Sequence, residues 1–162
     1  MKRFAIFGTI VDTDDMRYAI EDVTPNQFRA FTKNLADGEE IEIQINSPGG
    51  SVFAGIAIAN MIRQLSIEGH KVTAKVEGLA ASIASVIMCA ADKVIMPESA
   101  VCMIHNCWSV VQGDSTALRK EAETMDILNE AIVSFYLSKF DLSRDTLKEM
   151  MNNETWFSGK EA

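Results

Sequence analysis

Ile41, Ile43 and Ile45 alternate with Glu42 and Gln44, and the run stops at Asn46-Ser47-Pro48-Gly49-Gly50. Side chains two residues apart share one face of a strand, so this spacing predicts a half-buried strand. Pro48 fixes one backbone angle and removes a donor, while the paired glycines open conformations with positive φ. Beyond the break, Ile58, Met61, Ile62 and Leu65 recur at helical intervals, predicting a helix from about Val52 to Leu65. A second unit of the same kind follows. Lys71 to Val76 predicts a strand, Gly78 a tight turn, and the charge-free stretch from about Ser82 to Ala91 a buried helix. Strands alternating with helices need a sheet covered on its faces, so the chain reads as α/β with a mostly parallel sheet.

The remaining segments fit that frame. Phe4 to Val11 predicts a first strand. The helix after it is well punctuated: Thr24 is an N-cap, Pro25 takes the first helical position, Gln27 completes a capping box, and Val23 with Phe28 forms a hydrophobic staple. It is expected to reach about Ala36. Val94–Met96 and Val101–Ile104 predict two short strands, Asp114 to Lys139 a long amphipathic helix, and Ser143 caps a last short one.

With 162 residues and 48% hydrophobic side chains, the chain suits a single domain over 1–162. Its net charge of -8, with 15 basic residues scattered among 23 acidic ones, argues against a nucleic-acid partner. The longest uncharged run, 78–91, is shorter than the roughly 20 residues a spanning helix needs, which argues against a membrane. Lys2 and Arg3 are followed too soon by Asp12, Asp14 and Asp15 for a secretion signal. Cys89, Cys102 and Cys107 lack metal-ligand spacing and read as core thiols of a cytoplasmic protein; no metal or cofactor is expected.

Two turns carry chemistry. The Pro48-Gly49-Gly50 turn opens a helix and aims free N–H groups outward, suiting an anion or a developing oxyanion as well as a ligand-free turn. No Lys-Ser or Lys-Thr pair follows, which disfavours a phosphate loop. Ser82 begins the second helix, either capping it or presenting its hydroxyl where the dipole favours negative charge. His70 sits in a polar stretch and reads as a loop residue, whereas His105 ends a short buried strand. At the carboxyl ends of parallel strands, Ser82, His105 and the glycine pair are placed to converge.

Taken together, Ile45-Asn46-Ser47-Pro48-Gly49-Gly50-Ser51-Val52, Gly78-Leu79-Ala80-Ala81-Ser82 and Met103-Ile104-His105 resemble the ClpP peptidase family in order and spacing. The Ala80–Ser85 run and the Glu154–Ala162 ending look closest to its prophage branch, the head-maturation proteases. The resemblance implies a ClpP/crotonase-like fold with flanking helices and a long protruding handle helix at 114–139. It implies a serine endopeptidase: Ser82 attacks the peptide carbonyl to form an acyl-enzyme, and His105 acts as general base. The backbone N–H groups of Gly50 and Ile83 form the oxyanion hole. Laying Ser158-Gly159-Lys160-Glu161-Ala162 on the family's closing segment puts Glu154 at the position of the family's catalytic Asp. Asp145 and Asp141 are alternatives. Relative to the family the start lacks the pore-lining segment and the C-terminal end is short. Trp108 and Trp156 read as packing residues.

The same resemblance implies a homo-oligomer, a heptameric ring often stacked in pairs, acting on polypeptides with an AAA+ unfoldase or on phage capsid proteins. Three other readings stay open. One is a housekeeping ATP-dependent Clp proteolytic subunit. Another is a ring-forming scaffold without activity. The third, a crotonase-type acyl-CoA enzyme, lacks a basic adenine-phosphate site in the sequence.

Overall fold

A computed structural model describes all 162 residues. The sheet is built from β1 (Lys2–Ile6), β2 (Ile41–Ser47), β3 (Val72–Ala81), β4 (Lys93–Ile95), β5 (Val101–Ile104) and β6 (Thr155–Ser158). The order is β1-β2-β3-β5-β6, with β4 also against β3. Every pairing is parallel except β5 with β6. The helices are α1 (Pro25–Thr32), α2 (Val52–Ile67), α3 (Ile83–Ala90), α4 (Ser115–Tyr136) and α5 (Arg144–Asn152). This is the expected α/β architecture, a mostly parallel sheet with flanking helices.

Period two governs β2 as the isoleucine spacing predicts. Ile41, Ile43 and Ile45 are fully buried, and Glu42 faces Arg3 across β1 at 3.0 Å. Burying an isoleucine contributes about 1.5–3 kcal/mol, and ten isoleucines of this chain rank among its largest fully buried side chains. All eight residues of α3 are buried. A helix with no polar face can only be a central one, and α3 is wedged between α2, α4 and β3. No helix is long and apolar enough to cross a membrane.

Several boundaries differ from the expectations. The first strand stops at Ile6; Ile10 only bridges to Val23 and Gly50. Between them, Gly8 packs so close to the Glu21–Asp22 peptide that a Cβ would lie 2.6 Å from the Glu21 carbonyl carbon. Chain there is held by the Glu21–Val23 segment and by Ser47 and the glycine turn after β2, not by a continued strand ladder. The α1 capping box forms as predicted, yet α1 ends at Thr32 in overlapping tight turns. The turn expected at Gly78 does not exist. Instead β3 runs on to Ala81, and two steps along β2 (Ile45 to Ser47) match four along β3 (Val76 to Ala80). Asn46 Oδ1 accepts from Leu79 N–H at 3.1 Å and fills the space beside Gly78, where a Cβ would meet it at 2.9 Å. That irregularity lets β3 change neighbours, from β4 at Thr73–Lys75 to β5 at Leu79–Ala81.

Segment 8–24 is tied down by Asp22, only 5% exposed, whose carboxylate accepts N–H bonds from Thr9, Tyr18 and Ala19 at 2.9–3.0 Å. The Ala19, Tyr18 and Thr9 amides hold its pKa below the usual carboxylate range. A carboxylate with a depressed folded pKa stabilises above its unfolded value of about 3.9 and loses that contribution as pH falls through the depressed one. Asp22→Asn is therefore expected to lower Tm at pH 7, with the gap to the parent chain closing below about pH 3.9 in thermal melts across pH.

Candidate active site

Three neighbouring parallel strands end side by side, and each hands its last residue to one part of the site. β2 leads into Pro48-Gly49-Gly50, β3 into Ser82 and β5 into His105. This is the crevice outside the carboxyl ends of strands where α/β sheets place ligands.

The turn after β2 can be followed amide by amide. Gly49 N–H donates to Ser47 Oγ at 3.1 Å, and that hydroxyl donates to the Gly8 carbonyl at 2.7 Å. Gly49 C=O accepts from Ile10 N–H at 2.8 Å, and Ser51 N–H donates to Ile10 C=O at 2.7 Å. Pro48 has no N–H, which leaves Gly50. In a trans peptide the N–H points opposite to the preceding C=O; the Gly49 carbonyl faces Ile10, so the Gly50 N–H faces the other way, into the cavity. Both glycines have positive φ, 97° and 147°. Beyond conformation, each is required by space. A Cβ on Gly50 would stand 2.1 Å from the Ile10 carbonyl oxygen, and one on Gly49 2.7 Å from Ser82 Cβ and 3.2 Å from Ile83 N.

Ser82 sits between β3 and α3 with φ 56 and ψ -130, a region L-residues avoid. It occupies the N-cap position, but its side chain makes no cap hydrogen bond. Of the two readings of Ser82, the presented hydroxyl holds. Ser82 N–H is fixed to Met103 C=O on β5 at 2.9 Å, and Ser82 C=O accepts from Ser85 N–H at 3.0 Å. The carbonyl thus turns into α3, and the Ile83 N–H, a first-turn donor with no helical acceptor, turns out of it. Gly55 on α2 permits the approach, since a Cβ there would fall 2.1 Å from Ile83 Cγ1.

His105 Nε2 lies 2.8 Å from Ser82 Oγ. With the ring proton on Nδ1, Nε2 accepts from the hydroxyl. Both side chains line a cavity of about 550 Å³ with Gly49, Gly50, Met103, Met125 and Leu128 on its walls. The last two come from α4, so the long helix contributes to the cavity wall.

Glu154 stands opposite His105 if the β5–β6 register, Ile104 with Thr155, is continued by one residue. The structure does not bring their side chains together. Glu154 has φ 46, is exposed, and its carboxylate accepts from the Trp156 indole N–H at 3.2 Å. Asp145 lies in the first turn of α5 and Asp141 in the loop before it; neither hydrogen-bonds His105. Trp108 and Trp156 correct the packing expectation. They are 75% and 53% exposed, and Trp108 lines the cavity mouth. Cys89 and Cys102 are core thiols, the Cys102 pKa pushed up to about 12 by burial, whereas Cys107 is half-buried on the cavity wall. His70, off in its loop, bonds the Glu39 carbonyl at 2.9 Å. No three His, Cys, Asp or Glu side chains are grouped to hold a metal ion.

Comparison with known proteins identifies the family. The family model for Clp protease matches residues 17–162. The chain is 35% identical over 130 residues to the ATP-dependent Clp protease proteolytic subunit 1 of Chlamydia abortus, covering 77% of this chain and 66% of that one. It is 30% identical along its whole length to the ATP-dependent Clp protease proteolytic subunit of Bacteroides fragilis, covering 75% of the latter. The Deinococcus radiodurans subunit is 32% identical over 76% of this chain and 60% of its own. The chain belongs to the Clp protease family of serine-type peptidases.

Because a Cβ at position 49 would enter the space between Ser82 and the Ile83 amide, Gly49→Ala is expected to slow fluorophosphonate labelling of Ser82 at least about 100-fold. Intact-mass kinetics on the folded variant measure this.

Proposed function

We propose that this chain is a serine endopeptidase in which Ser82 is the nucleophile, His105 the general base, and the Gly50 and Ile83 N–H groups the oxyanion hole. One observation carries the reading: a hydroxyl 2.8 Å from an imidazole nitrogen, at the N-terminus of a buried helix, in a cavity lined by Gly50, with neither the Gly50 nor the Ile83 N–H bonded elsewhere. His105 Nε2 takes the Ser82 proton as Oγ adds to the peptide carbonyl. The negative charge on the former carbonyl oxygen falls between the two amides, each such donor being worth about 3 kcal/mol to the transition state. His105 then gives its proton to the leaving amine, and water hydrolyses the acyl-enzyme by the same route.

The third catalytic member is assigned to Glu154 on its register position opposite His105. To serve there its carboxylate has to leave the Trp156 indole and reach Nδ1, which would orient the ring and stabilise its charged form. The apolar walls supplied by Met125 and Leu128 favour substrates with an apolar side chain beside the scissile bond.

We propose further that the chain assembles into a homo-oligomeric ring, heptameric and able to stack in pairs, fed with unfolded polypeptide by an AAA+ unfoldase; membership of the family and the relatives' names, which describe ATP-dependent proteolytic subunits, support this reading. The exposed Leu118 and Ile127 on α4 suit a partner surface. A finer role in prophage capsid or head-protein maturation is supported by the Ala80–Ser85 run and the closing segment alone.

A fluorophosphonate probe is expected to form one adduct per chain on Ser82. Ser82→Ala should abolish it, and His105→Ala should slow it by about 10²–10⁴-fold. Equal labelling of the Ser82→Ala chain would refute the nucleophile. Glu154→Gln is expected to lower peptide kcat about tenfold or more with KM little changed, as for a group that acts through the imidazole. An unchanged kcat would remove Glu154 from the mechanism.

A further inference from the structure

Beneath Ser82 lies a buried polar pair that the mechanism above does not use. Ser85 is fully buried in α3 and Tyr136, the last residue of α4, is 1% exposed. Ser85 Oγ lies 2.6 Å from the Ser82 carbonyl oxygen and 2.8 Å from Tyr136 Oη. The direction of both bonds follows from the chemistry. A carbonyl oxygen only accepts, so Ser85 must donate its one hydroxyl proton to Ser82 C=O. Ser85 then has only lone pairs left for its second neighbour, so Tyr136 donates to Ser85. Burial raises the Tyr136 pKa well above that of a free phenol, which keeps this donor protonated. The ring itself is held by Phe140 at 5.8 Å, and Phe140 by Phe157 of β6 at 5.7 Å, both edge-on.

Resting on the peptidase reading, we propose that Ser85 and Tyr136 are positioning residues. Their relay fixes the direction of the Ser82–Ile83 peptide plane, and with it both the strained Ser82 backbone and the aim of the Ile83 N–H into the oxyanion site. The Ser82 carbonyl already accepts the helical N–H of Ser85 at 3.0 Å. One hydrogen bond leaves a plane free to pivot about it, and a second from the side-chain hydroxyl stops the pivot. The opposite end of that plane is the Ile83 N–H. Since a rotation that displaces a donor by an ångström costs up to about a hundredfold in rate, the lock acts on the transition state, not on substrate binding.

Two single variants and their double separate positioning from plain stability. Ser85→Ala leaves the Tyr136 hydroxyl buried without an acceptor and is expected to lose stability as well as rate. Tyr136→Phe keeps the ring and the Ser85–Ser82 bond, so its loss of rate is smaller. Combining S85A with Y136F removes both polar groups together, which restores much of the stability because no buried group is left unpaired. In the double variant, kcat on a fluorogenic peptide with an apolar residue at the scissile bond is expected to stay about 10–100-fold below the parent, with KM within about twofold. The inhibition constant of a peptide boronate, whose tetrahedral adduct puts an oxygen between the two amides, should rise by the same factor as kcat falls. A double variant that regains parental kcat and boronate affinity along with its Tm would overturn the relay. If the parent chain neither hydrolyses the peptide nor labels at Ser82, the peptidase reading fails on its own. The relay is then decided by a crystal structure of the double variant, where an unchanged Ser82 carbonyl direction refutes it and a turned peptide plane supports it.

Discussion

Ser82 is held in a backbone conformation that costs on the order of 1–3 kcal/mol for an L-residue, and the surroundings are built so that it cannot relax. Its N–H is tied to β5, its carbonyl is turned into α3, and its Cβ abuts the bare Cα of Gly49. A helix that simply continued from β3 would point the hydroxyl along the chain. The left-handed residue instead breaks the direction of the backbone, so the hydroxyl leaves the sheet edge and meets the imidazole at the end of the next strand. Without the strain, serine would do what serine does at most helix starts, which is to cap the helix. The site exists because that local preference is overruled.

The overruling explains what could be read from the residues and what could not. The isoleucine alternation of β2, the capping box at Thr24, the Val101–Ile104 strand and the charge-free α3 each express a local rule, and each element formed where the rule put it. The order of the glycine turn, the serine and the histidine was equally legible, because parallel strands must release their carboxyl ends on one side of the sheet. The Ser82 torsion was not legible, since it is imposed by contacts with Met103, Gly49 and Ser85 rather than by its neighbours in sequence.

The misread segments have the same origin. Gly78 looks like a turn in isolation, but Asn46 on the adjacent strand supplies a side-chain acceptor that carries β3 through it. Strand β6 was invisible because Thr155-Trp156-Phe157-Ser158 is too short to show a period, and only β5 beside it completes the pairing. Trp108 and Trp156 read as packing residues in the sequence, whereas their exposure depends on where the chain around them lies. Glu154 falls between the two cases. Its place opposite His105 follows from register, but the orientation of its carboxylate is set by an indole two residues on.

The change of partner within β3 has a further consequence. Its first half is sewn to β2 and β4, while its last three residues, which lead into Ser82, are sewn to β5 and through it to β6, with Ala80 alone keeping a β2 partner in Ser47. The molecule therefore has a seam that runs beside the reactive centre and leaves the β1–β4 body intact on one side. Partial opening along it would release the Met103 carbonyl from Ser82 and carry off the imidazole while most of the native sheet stays formed. Mild denaturant would then silence the protein well before its circular dichroism changes, so a folded spectrum by itself is no guarantee of a working serine.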